Sequence, residues 1–483
     1  MTTAQILQQL MTRQELRYLN DASSYEQGLN IVRDAPGMFL PILLPMALLS
    51  LAITISFLRV VSDNQTRLLV FAFWLRYAMS AFHFVTYKPF IAGLSLNAIS
   101  SLLIVIVSIL IVKRRYLLRV DSLFLLSLLI IIILSGIVNG RYLGSANTII
   151  KFMYLLSVAF LCYDALQRHG IAKVMGLLSV AFLLPISLQI VSYVIGPVKA
   201  TEVDGSASYI GGYYHEAAFS IILVTFLFVA CFTRVGSRYT LVFGCIGIIG
   251  LIAANYRTSI LAAAPSILAF VVCVVAIRVR PSQRSAVTLV FLVLALTGAV
   301  AVSTLFAERF KDVLTIVENG TDFIKPPEYF SRMDKKVLSG RAYIWSVYLT
   351  PWLRSGEMNF LFGFGADSWQ DLFHLYAHNT FVSYAYEFGI FGLVMFLAVL
   401  LRTGALAMRL RGVPRIVSLC GIVSFTLINM ATMPLWLIEG NLLFAIILAY
   451  TWYSVDKIAK SKSSVLLAAE DPNFARTNPG LVR

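Results

Sequence analysis

About thirteen apolar runs, most near twenty residues long, divide this 483-residue chain and leave it few ways to fold. Hydrocarbon offers no partner to a backbone N–H or C=O. A run that crosses it must therefore be a helix or part of a closed barrel. The runs here are continuous rather than alternating, which points to helices. Their approximate limits are 38–57, 68–90, 96–112, 122–138, 148–166, 171–196, 217–233, 241–255, 259–277, 286–306, 379–401, 416–434 and 439–455. Composition agrees: 13% of residues are charged, against about 25% in a soluble domain. The mean hydropathy is +0.82. The expected fold is all-α, a polytopic transmembrane bundle of about 12–13 spans.

The loops set the orientation. Basic residues gather after the odd-numbered runs, as in Lys113, Arg114, Arg115 and Arg119, or Arg402, Arg409, Arg411 and Arg415. The short loops after the even-numbered runs hold one basic residue or none. The basic loops are then cytoplasmic. The net charge of +15 reflects topology and anionic lipid, not nucleic acid. Five segments follow: a polar tail 1–37 outside, ten spans over 38–306, a large outer loop 307–378, three spans over 379–455, and a cytoplasmic tail 456–483, irregular after Lys462. The five cysteines all fall in apolar runs without metal or disulfide spacing, and read as small buried hydrophobes.

The outer loop is the largest polar block between spans, about seventy residues from Glu308 to His378. Pro326-Pro327 interrupts any helix there. After Ser339-Gly340-Arg341, Ala342 to Leu349 reads as a short amphipathic helix, and Asp367 to Tyr376 also has helical spacing. The loop is expected to fold on the membrane surface. The same face receives the segment Gly211 to Glu216 and the turn Asn255 to Ser259.

Several residues there carry chemistry. Arg257 lies in a turn between two apolar runs, either as an anchor that snorkels or as a phosphate clamp. Arg341 opens a helix, where an anion is already favoured; the plain alternative is a solvated arginine. His378 stands at the water–membrane boundary, a candidate base or a hydrogen-bonded interfacial histidine. His215 and Glu216 form a second titratable pair. Asp371, His374 and His378 share a helical face, but no fourth ligand is evident and no metal is expected. Arg76 and Lys151 are cations within apolar runs, which marks them as candidate site residues. Trp345 is one of several aromatics that suit a sugar-binding surface. No P-loop, dinucleotide fingerprint, nucleophile elbow or zinc signature is present.

The chain resembles the bacterial O-antigen ligase / O-antigen polymerase superfamily of membrane glycosyltransferases. The likeness rests on Ala377-His378-Asn379-Thr380-Phe381 followed by Glu387-Phe388-Gly389-Ile390-Phe391-Gly392, on Gly340-Arg341 with Trp345, on Phe362-Gly363-Phe364-Gly365, on Tyr256-Arg257-Thr258-Ser259, and on Gly212 to Glu216. Glu216 and Ala217 replace the family's usual Pro-Asn. The resemblance implies a C-type glycosyltransferase fold with a periplasmic loop in the bacterial inner membrane. It implies an undecaprenyl-diphosphate-linked oligosaccharide donor and a growing glycan acceptor, with inversion and without metal or other cofactor. His378, Arg257 and Arg341 would be catalytic; His215, Glu216, Trp345, Asn379, Arg76 and Lys151 would bind substrate. Membrane lipid, a flippase and a chain-length regulator complete the expected partners. Polymerisation into a cell-surface polysaccharide is the leading expectation, ligation to lipid A core or protein the nearest rival, and lipid-linked sugar transport the rival of another class.

Overall fold

The computed structural model describes residues 37–91, 93–196, 199–200, 207–231, 238–291, 293, 297, 325–331, 334–335, 340–373 and 375–470, with side chains for all but 199–200, 238–239, 257 and 461–470. The tail 1–36, most of the run 286–306, the first part of the large loop and residues 471–483 lie outside the described residues.

The described chain is a helical bundle, with two small two-stranded pairs as its only sheet. Of the seven helices long enough to cross a membrane, Tyr142–His169 is the most enclosed, and it packs most extensively against Ile438–Glu470. Leu40–Arg59 is the least enclosed of them and leaves Leu40, Leu44, Leu48 and Leu49 exposed, while Leu43 is buried. Asp63 caps Asn64–Ala81 by accepting the Thr66 N–H at 2.9 Å, and Ser95 caps Leu96–Ile111 through Ala98 at 3.2 Å. The sixth run is two helices, Ile171–Val180 and Leu183–Val194, bent by 46°. Pro185 supplies no N–H to the Ala181 carbonyl, so the helix breaks there.

Among the described residues seven helices are long and apolar enough to cross a membrane, or eight if the bent pair counts as one span. The expected all-α, polytopic bundle is what the described residues form. Leu96–Ile111, Glu216–Ala230 and Thr240–Ala254 are apolar but only 10–17 residues long. At 1.5 Å per residue none reaches the roughly 30 Å of hydrocarbon. Asn64–Ala81 carries Arg67 and Arg76 and is not among the seven.

The basic loops do meet on one face. Arg119 pairs with Asp456 at 2.8 Å, Arg402 with Asp121 at 2.8 Å, and Arg168 with Asp164 at 2.7 Å, while His169 reaches Asp63. The final helix continues past Lys462 to Glu470. Ser464-Val465-Leu466-Leu467-Ala468-Ala469 contains no helix breaker, so the irregular tail expected there starts later at the earliest.

The described part of the large loop has its own aromatic core. The helix begins at Arg341, as read, but runs to Leu353. Its side chains tie down the strand-like return: Trp345 donates to the Ala377 carbonyl at 3.0 Å, Tyr348 to Leu375 at 2.7 Å and Trp352 to Phe360 at 3.1 Å. Tyr348 stacks on Phe373 and meets Tyr386 edge-on. The helix expected over 367–376 is only a single 3-10 turn, Ser368–Asp371. Asp367 takes a left-handed conformation, φ 58°, and gives its N–H to Glu387 Oε2 at 3.0 Å; the carbonyls of Leu375 and Ala377 go to Tyr348 and Trp345. Side-chain partners thus take the groups a helix would have used.

Thr380–Met408 breaks at Gly389, φ 68°. The break leaves the carbonyls of Tyr386 and Glu387 without helical partners, and the glycine turn supplies them: Phe364 N donates to Tyr386 O and Gly365 N to Glu387 O, both at 2.9 Å. A Cβ on Gly363 would lie 2.3 Å from the Glu387 carbonyl carbon, and one on Gly389 2.3 Å from the Leu361 oxygen. Only glycines permit this approach.

Candidate functional site

Four helices begin at one place on the face opposite the basic loops. They are Glu216–Ala230, Arg257–Arg278, Arg341–Leu353 and Thr380–Met408. His215 N-caps the first, its Nδ1 accepting the Ala217 N–H at 3.0 Å. A neutral His215 therefore carries its proton on Nε2. Its ring meets that of Tyr256, the N-cap residue of the second helix, at 6.4 Å. Thr258, in that helix's first turn, accepts from Arg341 Nη1 at 3.3 Å. Burial raises the Tyr256 phenol, opposed by the neighbouring Arg341 guanidinium. Each helix start directs the positive end of its dipole here.

His378 stands at the fourth start. Trp345 holds the Ala377 carbonyl on one side, and on the other Asn379 caps the helix, accepting from Phe381 N at 2.9 Å and Val382 N at 3.3 Å. Between these anchors His378 is held left-handed, φ 50°, a strained conformation for a residue with a side chain. Its ring lies 3.9 Å from that of Tyr376, and Nδ1 is buried without a hydrogen-bond partner. Burial, then the positive Arg341 and His215, pull its pKa down to about 3. At neutral pH the imidazole is uncharged.

The candidate residues thus divide. His215, Glu216, Arg341 and His378 come together, Glu216 acting electrostatically on Tyr256 and Tyr376. Arg257 opens its helix beside Thr258, but its side chain lies outside the described residues. Trp345 and Asn379 position the backbone on either side of His378. Arg76 is matched elsewhere: Nε and Nη2 each reach Glu439 at 3.1 Å, and Nη2 also reaches Tyr87 Oη at 3.1 Å. Glu439 was missed, although an acid at the start of an apolar run invites the search for its partner.

Lys151 faces Asp367 and Glu387 across the bundle. Glu387 is fully buried and accepts from Ser383 Oγ at 2.7 Å and from the Asp367 N–H at 3.0 Å. Burial raises the Asp367 carboxyl, opposed by Lys151 and Arg141. Glu387 entered the sequence motif without a role; the spacing that sets it one turn after Ser383 was the signal. Among the described residues no three His, Cys, Asp or Glu side chains cluster as metal ligands. Asp371 pairs with Arg141, and His374 lies outside the described residues.

Residues 240–397 match the profile of a family described as O-antigen ligase. The match spans Arg257, Arg341, Trp345, His378 and Asn379, and excludes His215, Glu216, Arg76 and Lys151. It supports the O-antigen ligase/polymerase superfamily for this multi-pass membrane protein. A comparison with curated proteins finds no match.

Proposed function

We propose that this protein is a polysaccharide polymerase. It would transfer a lipid-linked oligosaccharide from undecaprenyl diphosphate to a growing glycan at the outer face of the bacterial inner membrane. The observation that carries this reading is the convergence of four helix starts and Arg341 on the neutral His378. Anionic oxygens at such a place are favoured by helix dipoles and a guanidinium that need no reorganisation.

In the reaction an acceptor hydroxyl attacks the anomeric carbon. The bond from that carbon to the diphosphate oxygen breaks, and the diphosphate leaves with the electron pair. A single displacement inverts the centre. Arg341, with Arg257 opening the adjacent helix, stabilises the charge that grows on the leaving oxygen. The neutral His378 accepts a hydrogen bond from the acceptor hydroxyl and orients it. The bound diphosphate offsets the positive field of Arg341 and so strengthens His378 as a base. The proton released ends on the diphosphate or in solvent. Nothing in these steps calls for a metal or other cofactor.

The transport reading loses its best support, because Arg76, a cation suited to a substrate path, is matched by Glu439. Polymerase and ligase share this chemistry and differ in acceptor. A flippase that delivers the donor and a chain-length regulator are the expected protein partners. The test is turnover of purified protein with undecaprenyl-diphosphate oligosaccharide. A ladder of lengthening products supports the polymerase. Transfer only to added lipid A core replaces it with a ligase. Movement of the lipid across vesicles without turnover overturns the enzyme reading.

A further inference from the structure

The segment ahead of Glu216–Ala230 is pinned. Gly211 and Gly212 have φ of 65° and 77°. A Cβ on Gly211 would lie 2.9 Å from the Gln189 nitrogen, and one on Gly212 2.3 Å from that of Met38. Tyr213 then turns inward, its ring 5.0 Å from Phe219 and its hydroxyl donating to the Tyr77 carbonyl at 3.0 Å. Tyr214 is left facing out, 49% exposed. Its ring sits 5.5 Å from His83 and 6.1 Å from Tyr87. Tyr87 is fixed from below, where Arg76 Nη2 donates to its hydroxyl at 3.1 Å and Ser80 bonds it at 3.1 Å. The rings continue through His215, 6.5 Å from Tyr214, to Tyr256 and so to Arg341.

Resting on the diphosphate reading of the Arg341–His378 site, we propose that Tyr214, with His83 and Tyr87, forms a glycan subsite whose rings stack on the apolar face of a pyranose. A sugar ring presents C–H groups on one face, and an aromatic ring held rigid buries them at little entropic cost. A tyrosine that served only as an interfacial anchor would gain nothing from a pinned loop or from flanking rings. The ring path to Arg341 places the bound sugar a few units from the diphosphate, in the donor glycan or in the acceptor.

The test uses the full chain in nanodiscs and two probes: bare undecaprenyl diphosphate, and the glycan-bearing lipid that accumulates in cells lacking this protein. Tyr214→Ala should weaken glycan-bearing lipid roughly tenfold and leave bare lipid unchanged, while Tyr214→Phe binds both normally. If instead only KM for the acceptor glycan rises, the subsite holds and the acceptor occupies it. Wild-type binding and KM throughout in Tyr214→Ala overturn the proposal. Equal weakening of both lipids also overturns it, since the residue then only supports the fold. Failure of wild-type protein to bind bare undecaprenyl diphosphate refutes the diphosphate reading separately.

Discussion

Arg341 keeps different company from the arginines of the basic face, and from Arg141 and Arg354 on its own side, which pair with Asp371 and Glu328. On the basic face Arg119, Arg402 and Arg168 each meet a carboxylate within 2.8 Å. On the other face Arg341 has hydroxyl partners, and no carboxylate pairs with it among the described residues. Where the charge is matched the fold has used it. Where it meets only hydroxyls and helix starts, it retains its capacity for a bound anion. Arg76 belongs with the first group despite its depth in the membrane.

The largest expected effect follows from that contrast. Arg341→Ala should lower turnover by about 10²–10³, the usual cost of removing one donor to a developing oxyanion. Arg341→Lys should recover part of it, since an ammonium restores the charge but not the planar fork. Arg119→Ala should lower thermal stability and leave turnover per folded molecule near wild type. Equal kinetic losses at both faces would dissolve the distinction.

Next in size is Glu387→Gln. The amide can still accept the Asp367 N–H and donate to the Ser383 oxygen, but it removes the carboxylate that faces the buried Lys151. A buried unsatisfied group costs about 1–3 kcal/mol. Thermal unfolding in detergent should fall by several degrees, with turnover lost through the loop that ends at His378. Unchanged stability would remove Glu387 as the seat of that loop.

The smallest effect is a pH dependence. His378 is held near pKa 3 in the folded protein, against 6.5 for an ordinary histidine. Between these values the unfolded chain binds a proton that the native one refuses. Stability from this group is complete above about pH 6.5 and declines as pH falls toward 3. His378→Asn should flatten that decline in melting experiments from pH 7 to 4. An identical slope would show that the ring is not buried neutral.

Much of this was legible in the sequence because apolar runs and helix starts are local signals. The positions of the helices, the start at Arg341, and the meeting of Arg341 with His378 and His215 were all readable. The partners of charges were not. Glu439 is 363 positions from Arg76, and Lys151 meets Glu387 only once three helices have packed. Which runs make helices of full membrane length was less legible, because an apolar run of fifteen residues looks much like one of twenty; among the described residues three apolar helices are shorter than eighteen. The largely non-helical path of the described residues from Asp367 to Ala377 was missed because its backbone partners, Glu387, Tyr348 and Trp345, come from other segments.

The most direct measurement is the affinity of undecaprenyl diphosphate, against uncharged undecaprenol, for the protein in nanodiscs. The wild type and Arg119→Ala should both prefer the diphosphate, and Arg341→Ala should lose that preference by at least about tenfold, the scale of one charge-assisted bond. Retention of the full preference in Arg341→Ala would contradict the account.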